Sequence, residues 1–218
     1  MRKGLTIGEL LVTMAIIGVI AALVIPGFLK DYHKKLYTTK LHKSYEMLFS
    51  AIETACNDNN VSSLQQTPYG GAGNAAQQAE FLNKYFKTIE PAKQSPSGVK
   101  PYFGTYRPLS NTSAAPTQMT IPLNSATAKL KSGEIIDIGC QTATECIVSI
   151  DINGTDEPNI GGRDMFWFRI DKQNNQVMSH SNPDSCAVYD GNKWVPKSDI
   201  RGEGCLNRII KSGWVMEY

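Results

Sequence analysis

Charge is scarce in this chain, and so are the residue patterns that usually announce chemistry. Only 19% of its 218 residues are charged and 3 are histidine. No phosphate-binding Walker loop, nucleophile elbow or paired-histidine zinc helix occurs, which weakens an enzyme reading without excluding one. The stretch Gly71 to Ala76, "GAGNAA", mimics a dinucleotide-binding fingerprint, but no strand pattern precedes it and no acidic residue follows at the required distance. A formal net charge of +2 gives no general basis for nucleic-acid binding. Cys56, Cys140, Cys146, Cys186 and Cys205 form no CxxC pair and have no histidine at zinc-ligand spacing. Disulfides are their better use, which implies an oxidising compartment. Five is odd, and Cys56, at the end of a long helical pattern, is the one left out.

Long hydrophobic runs are also rare, with one exception. From Leu5 to Ile25 there are 21 residues with one charge, Glu9; as a helix they would span roughly 30 Å, the thickness of a hydrocarbon core. Three readings compete: a cleaved secretory signal, a permanent anchor, and an anchor that later packs into an assembly. Val19-Ile20-Ala21 would suit a signal peptidase, but Glu9 interrupts the apolar region such a signal needs. A carboxylate inside a spanning helix costs on the order of 3 kcal/mol and normally has a partner. Glu9 therefore either lies shallow and reaches into the headgroups, or meets a cation on another chain.

Met1-Arg2-Lys3-Gly4, then Leu5-Thr6-Ile7-Gly8-Glu9-Leu10, then an apolar run closing at Pro26, resembles the class III leader and N-terminal helix of type IV pilins and type II secretion pseudopilins. The resemblance is tight over Gly4 to Pro26 and looser to about Cys56. It implies a basic leader cut after Gly4 by an inner-membrane prepilin peptidase, with Leu5 as the N-methylated first residue. Glu9 would be the mature chain's fifth residue, paired with the new amine of a neighbouring subunit, and Pro26 the helix-kinking proline. Two positions depart from the family's usual pattern: Leu5 replaces phenylalanine, and Gly8 replaces a large aliphatic residue. Ala15, Gly18, Ala21 and Ala22 would let neighbouring helices approach closely. Without the leader's Arg2 and Lys3, 20 basic residues face 20 acidic ones.

Lys30, Lys34, Lys35, Lys40 and Lys43 outnumber Arg2 and Lys3, so a positive-inside count alone would put the C-terminal side in the cytoplasm. The cysteines and the resemblance argue the reverse: an inner-membrane protein with one span and a periplasmic head, then part of a filament. The lysines would sit near headgroups or along the filament shaft.

Past Pro26, Tyr37, Leu41, Tyr45, Leu48 and Ile52 recur at spacings of three and four, which predicts an amphipathic helix to about Ala55 whose apolar face packs on the head's own sheet. A polar connector, Asn57 to Asn74, leads to a second helical pattern, Ala75 to Ile89, with Phe81, Leu82, Tyr85, Phe86 and Ile89 on one side and Pro91 as its end. Residues 92 to 118 show little periodicity and read as a surface excursion. Thr127 to Leu130 and Glu134 to Ile138 flank "KSG" as a hairpin; Glu145 to Ile152 and Asp164 to Ile170 continue the sheet. The fold class is therefore α+β: a long N-terminal helix packed on an antiparallel sheet of about four strands, a pilin-like roll. "CLNRIIKSGWVMEY" reads as a short helix capped by Gly213 and a terminal strand. The organisation is a leader at 1–4, a membrane and assembly half-helix at 5–26, an amphipathic half at 27–56, and a head at 57–218.

A C-terminal disulfide loop is common in pilins, so the resemblance favours Cys186 with Cys205 and leaves Cys140 with Cys146 as the local pair. "DINGTDEPNIGGRD" clusters Asp151, Asn153, Asp156, Glu157 and Asp164, and oxygen ligands in such density can hold calcium. The spacing is not that of an EF-hand, and the plainer reading is a turn-rich connection. No other cofactor is expected.

The expected function is structural: a pilin-like filament subunit, minor rather than major because a bulky, loop-rich head disfavours repetitive packing. Its partners would be other pilin subunits, the prepilin peptidase, the assembly platform and the inner membrane. The rival is a membrane-tethered binding or adhesion module that never polymerises.

Overall fold

The computed structural model describes residues 6–121 and 123–218. They divide into two compact units, Met1–Leu36 and Tyr37–Tyr218, and one helix, α1 (Ile7–Asp58), runs through both. Leu5 and the leader lie outside the described residues.

In the second unit, α1 buries Tyr37, Thr38, Leu41, Ser44, Leu48, Ala51, Ile52, Ala55 and Cys56. That stripe follows the three-and-four spacing of the sequence, and small residues on it bring the helix close to what it covers. The cover is an antiparallel sheet. Its strands β1 (Lys93–Ser95), β6 (Ser125–Lys129), β7 (Ile135–Gly139), β8 (Glu145–Asp151), β9 (Met165–Asp171) and β10 (Gln176–Ser179) lie in that spatial order. Between β1 and β6 the chain makes two small antiparallel pairs: β2 (Gly98–Val99) with β5 (Thr120–Ile121), and β3 (Thr105–Tyr106) with β4 (Thr117–Gln118).

The sheet has six strands rather than about four, because both edges gain a strand. β1 falls in the stretch read as irregular, and β10 is too short to show a period. The central hairpins follow the sequence closely. β6 and β7 turn at Lys131-Ser132-Gly133, where Gly133 takes a φ of 103° and Leu130 N–H donates to Glu134 O at 2.8 Å. Strand alternation then sorts the side chains. Phe166, Phe168 and Ile170 of β9 join Leu41, Leu48 and Ile52 of α1 in the larger core. Met165 and Trp167 face the other way and join Tyr106, Ile121 and Ile135. A strand covered on both faces reads as a nearly continuous apolar run, which is what "MFWFRI" is.

Two expected elements end differently. Helix α2 (Ala75–Tyr85) stops at Phe86, which is extended, and the chain then runs along the sheet: Thr88 bridges Leu130, and Ile89 N–H donates to Lys129 O at 2.9 Å. Unpaired carbonyls beside β6 and the β-branched Thr88-Ile89 pair outweigh one more helical turn. Ile89 is accordingly exposed, not part of the buried side. Helix α3 (Cys205–Lys211) is followed by Gly213 with φ 69°, but the expected terminal strand is absent. The last residues dock irregularly: Met216 and Tyr218 are buried, and the Tyr218 hydroxyl donates to Gly162 O at 2.7 Å.

Disulfides join Cys140 to Cys146 and Cys186 to Cys205. The second encloses a hairpin of β11 (Ala187–Tyr189) and β12 (Trp194–Pro196). Cys56 is a buried free thiol whose Sγ lies 3.8 Å from Asn175 Oδ1.

Candidate functional site

The first unit carries the clearest functional feature. From Thr6 to Lys30 no residue is buried. Leu11, Leu23 and Phe28 are 62%, 77% and 70% exposed, on a helix long and apolar enough to cross a membrane. An apolar surface uncovered on all sides is not a stable state in water; it needs lipid or other apolar helices around it. A methyl group added at Gly8, Gly18 or Gly27 would meet nothing within 4 Å among the described residues, so no contact within the chain requires these glycines. Pro26 sits inside α1 and has no N–H to donate to the carbonyl of Ala22.

Glu9 finds local partners that the sequence reading overlooked. Thr6 N–H and Thr6 Oγ1 donate to Glu9 Oε2 at 2.8 and 2.9 Å, and Glu9 N–H lies 3.3 Å from Thr6 Oγ1. This is a capping box: a threonine before the first helical residue and a glutamate three positions on satisfy each other's backbone donors. The signal was present in "TIGE", T-x-x-E ahead of an apolar run. The box supplies hydrogen bonds but no opposite charge. Gly4 and Leu5, the expected processing site, lie outside the described residues.

The acidic loop between β8 and β9 is turned inward. Tyr106 donates its hydroxyl to Asp151 Oδ2, and Asn153 N–H donates to Asp151 Oδ1 at 3.1 Å. Asp164 accepts from the N–H groups of Asn159 and Ile160, both at 2.7 Å. Asn153 Nδ2 donates to the carbonyls of Asp156 and Glu157, while the Asp156 residue is exposed. Burial pushes the Asp151 carboxyl up to about 8, with the nearby Asp164 adding to it, and burial pushes Asp164 up to about 6. Asn153 Oδ1 and Asn159 Oδ1 are buried without a partner. The carboxylates of Asp151 and Asp164 are engaged by protein donors, and among the described residues no three His, Cys, Asp or Glu side chains are grouped for a metal. Asp151 and Asp164 lie near enough to repel one another, Asn153 binds the loop's own carbonyls, and Asp156 is exposed. The loop's chemistry is that of a folded turn.

Grooves among the described residues of the head include two open ones. One of about 640 Å³ is lined by Gly73, Asn74, Gln94, Ser95 and Asn124 and includes no acid, histidine or cysteine. The other, about 510 Å³, runs beside β10 and includes Arg169, His180 and Ser181. His180 Nδ1 lies 3.4 Å from Ser181 Oγ, which donates to Glu203 Oε2 at 3.4 Å. In a nucleophile relay the acid orients the base. Here Glu203 accepts from the hydroxyl instead, and the His180 ring packs edge-on against Trp167.

No protein-family profile, no curated protein and no solved structure matches this chain.

Proposed function

We propose that this chain is a structural subunit of a type IV pilus or type II secretion pseudopilus filament. It is held in the inner membrane by α1 with its head in the periplasm, and cut between Gly4 and Leu5. The observation that carries this reading is the uncovered apolar half of α1, continuous with the helix that forms the spine of a disulfide-bearing α+β head. A span of that length satisfies a bilayer before assembly. Bundled with copies of itself, the same surface would satisfy a filament core, where small residues allow close helix contact. Glu9 supplies register: in a low-dielectric bundle an unpaired carboxylate is costly, and the amine created on a neighbouring Leu5 would compensate it.

One observation favours the rival, a tethered binding module that does not polymerise: the Thr6–Glu9 capping box already gives Glu9 Oε2 two hydrogen bonds within one chain. Charge and capping can be separated experimentally. Glutamine serves in a capping box as glutamate does, so Glu9→Gln keeps the helix start and removes the charge. Under the filament reading, Glu9→Gln abolishes incorporation into sheared filaments while the head keeps its normal unfolding midpoint. Under the tether reading, it changes neither. Mass spectrometry of the mature N-terminus, expected to begin at methyl-leucine, tests the processing step.

A further inference from the structure

The main sheet ends on one side at β10, and strand register says which backbone groups that edge leaves open. Lys172 N–H donates to Thr144 O and Ile152 N–H to Asp164 O, so the even-numbered residues of β9 exchange hydrogen bonds with β8. The odd-numbered Arg169 and Asp171 therefore bond to β10, opposite Met178 and Gln176. Val177 and Ser179 point their N–H and C=O groups the other way, out of the sheet. The Tyr45 hydroxyl caps one of these carbonyls, donating to Val177 O at 3.2 Å. Val177 N–H, Ser179 N–H and Ser179 O have no hydrogen-bond partner among the described residues.

Open sheet edges are usually blunted by lysine, proline or a covering element. The opposite edge is treated so: β1 contains Lys93 and lies between Pro91 and Pro96. β10 has neither residue and faces the groove of about 510 Å³. Ser179 Oγ, in that groove, is buried without a hydrogen-bond partner, and so is Arg169 Nε. Arg169 and His180 line the groove and no Asp or Glu does; the Glu145 carboxylate meets Arg169 Nη1 from outside it at 3.2 Å.

We propose that β10 is a docking edge for an extended segment of another protein, which adds as a seventh strand and carries an acidic side chain between two apolar ones. Strand addition draws affinity from main-chain hydrogen bonds and specificity from alternate side chains. Ser179 offers a donor and an acceptor, and Val177 a further donor. Val177 and Ser179 share the face of Ile170 and Phe168, so segment residues opposite them stand on the α1 side, toward Tyr45. The residue between them, opposite Met178, falls on the Arg169 side, where the groove's charge is positive. Tyr45 of α1 and Ile210 of α3 flank the groove. A second copy's β10 would bring the same flanking side chains with it, whereas a single strand meets no such obstacle. The inference concerns the head alone and does not rest on the filament reading.

The test uses the isotope-labelled full chain in detergent micelles, with amide hydrogen exchange followed by NMR and the blocked peptide Thr-Val-Glu-Val-Thr as probe. Without peptide, the Val177 and Ser179 amides should exchange quickly and the Met178 amide slowly. At about ten times its Kd the peptide should slow Val177 and Ser179 roughly tenfold. The peptide Thr-Val-Lys-Val-Thr should bind about tenfold more weakly, since it sets like charges together. Ser179→Pro removes the outward N–H and keeps the bonds to β9, as proline is tolerated at a sheet edge; it should abolish binding with the thermal midpoint unchanged. A peptide N-methylated at both valines removes the donor that Ser179 O would accept, and should fail in the same way with the protein untouched. Slow exchange at Ser179 without peptide overturns the proposal, and protection that grows with protein concentration would assign the edge to a second copy instead. So does equal binding of the glutamate and lysine peptides, binding that survives N-methylation, or no saturable binding of the glutamate peptide up to about 5 mM. None of these readouts involves filament assembly, so the two readings stand or fall separately.

Discussion

Tyr106, on β3, donates its hydroxyl to Asp151 at the end of β8, so a buried acid at the rim of the central sheet is held by a residue from the excursion that precedes it. That contact ties the stretch between β1 and β6 to the sheet's second face, where Tyr106 packs with Met119, Ile121, Ile135 and Met165. It also sets a pH dependence, because the acid it engages is buried with a second one close by.

The head should be more stable at mildly acid than at mildly alkaline pH. The folded-state values of Asp151, about 8, and Asp164, about 6, both lie above the usual unfolded value of roughly 3.9. Burial raises Asp137 in the same direction. Between the unfolded and folded values the folded head keeps protons that the unfolded chain releases, so stability is fully present below about pH 4 and is lost as pH rises through 6 and 8. The expected fall between pH 5 and 8 is on the order of a few kcal/mol. Thermal unfolding at pH 5, 6.5 and 8 should show a falling midpoint, and Asp151→Asn should flatten the profile. A midpoint that rises over this range, with the same slope in the variant, contradicts the assignment.

Removing the two disulfides should cost unequal amounts. Cys186 and Cys205 are 19 residues apart and Cys140 and Cys146 are 6 apart. Loop entropy then gives about 3 kcal/mol for the first and about 2 for the second. Paired Cys→Ser variants compared by urea unfolding should rank in that order. The β11–β12 hairpin should lose protection from proteolysis only when the Cys186–Cys205 bridge is absent.

What the sequence made legible was the part written in periodicity. The α1 stripe, the "KSG" hairpin and the β8 and β9 runs repeat a pattern over enough residues to be read. The edge strands do not: β1 has three residues and pairs through backbone bonds to β6 that composition does not reveal. Nor does sequence show which polar side chains are interior. Lys172, in "RIDKQ", is fully buried and donates to Gly70 O and Thr142 O, both at 2.8 Å, joining the connector to the Cys140–Cys146 loop. Its position is fixed by long-range packing. The acids of the loop between β8 and β9 were equally illegible in this respect, since their density along the chain does not say that Asp151 and Asp164 turn inward while Asp156 stays exposed. The capping box at Thr6 and Glu9 is legible as T-x-x-E, but the same carboxylate stands in an apolar run where its charge is the more conspicuous property.

Gly161 is a steric requirement. A methyl group there would lie 2.1 Å from Asp199 O and 2.5 Å from the carbonyl carbon of Ile200. Both are backbone atoms, which cannot yield as a flexible side chain does. Gly161→Ala is therefore expected to destabilise the head by about 3 kcal/mol, with the loss seen in urea midpoints. Gly8→Ala, where the same methyl meets nothing within 4 Å among the described residues, should leave head stability unchanged.

Glu9→Ala and Glu9→Gln should separate two roles that one residue combines. Alanine removes the acceptor for Thr6 N–H and Thr6 Oγ1 as well as the charge, and loss of capping costs about 1 kcal/mol at a helix start. Glutamine removes the charge alone. If register between subunits depends on the carboxylate, both variants fail to enter filaments, although Glu9→Gln keeps its helix start. If capping alone matters, Glu9→Gln assembles normally while Glu9→Ala is impaired. Filament yield of the two variants, normalised to membrane-held precursor, decides between a charge that acts across chains and one that acts within its own first turn.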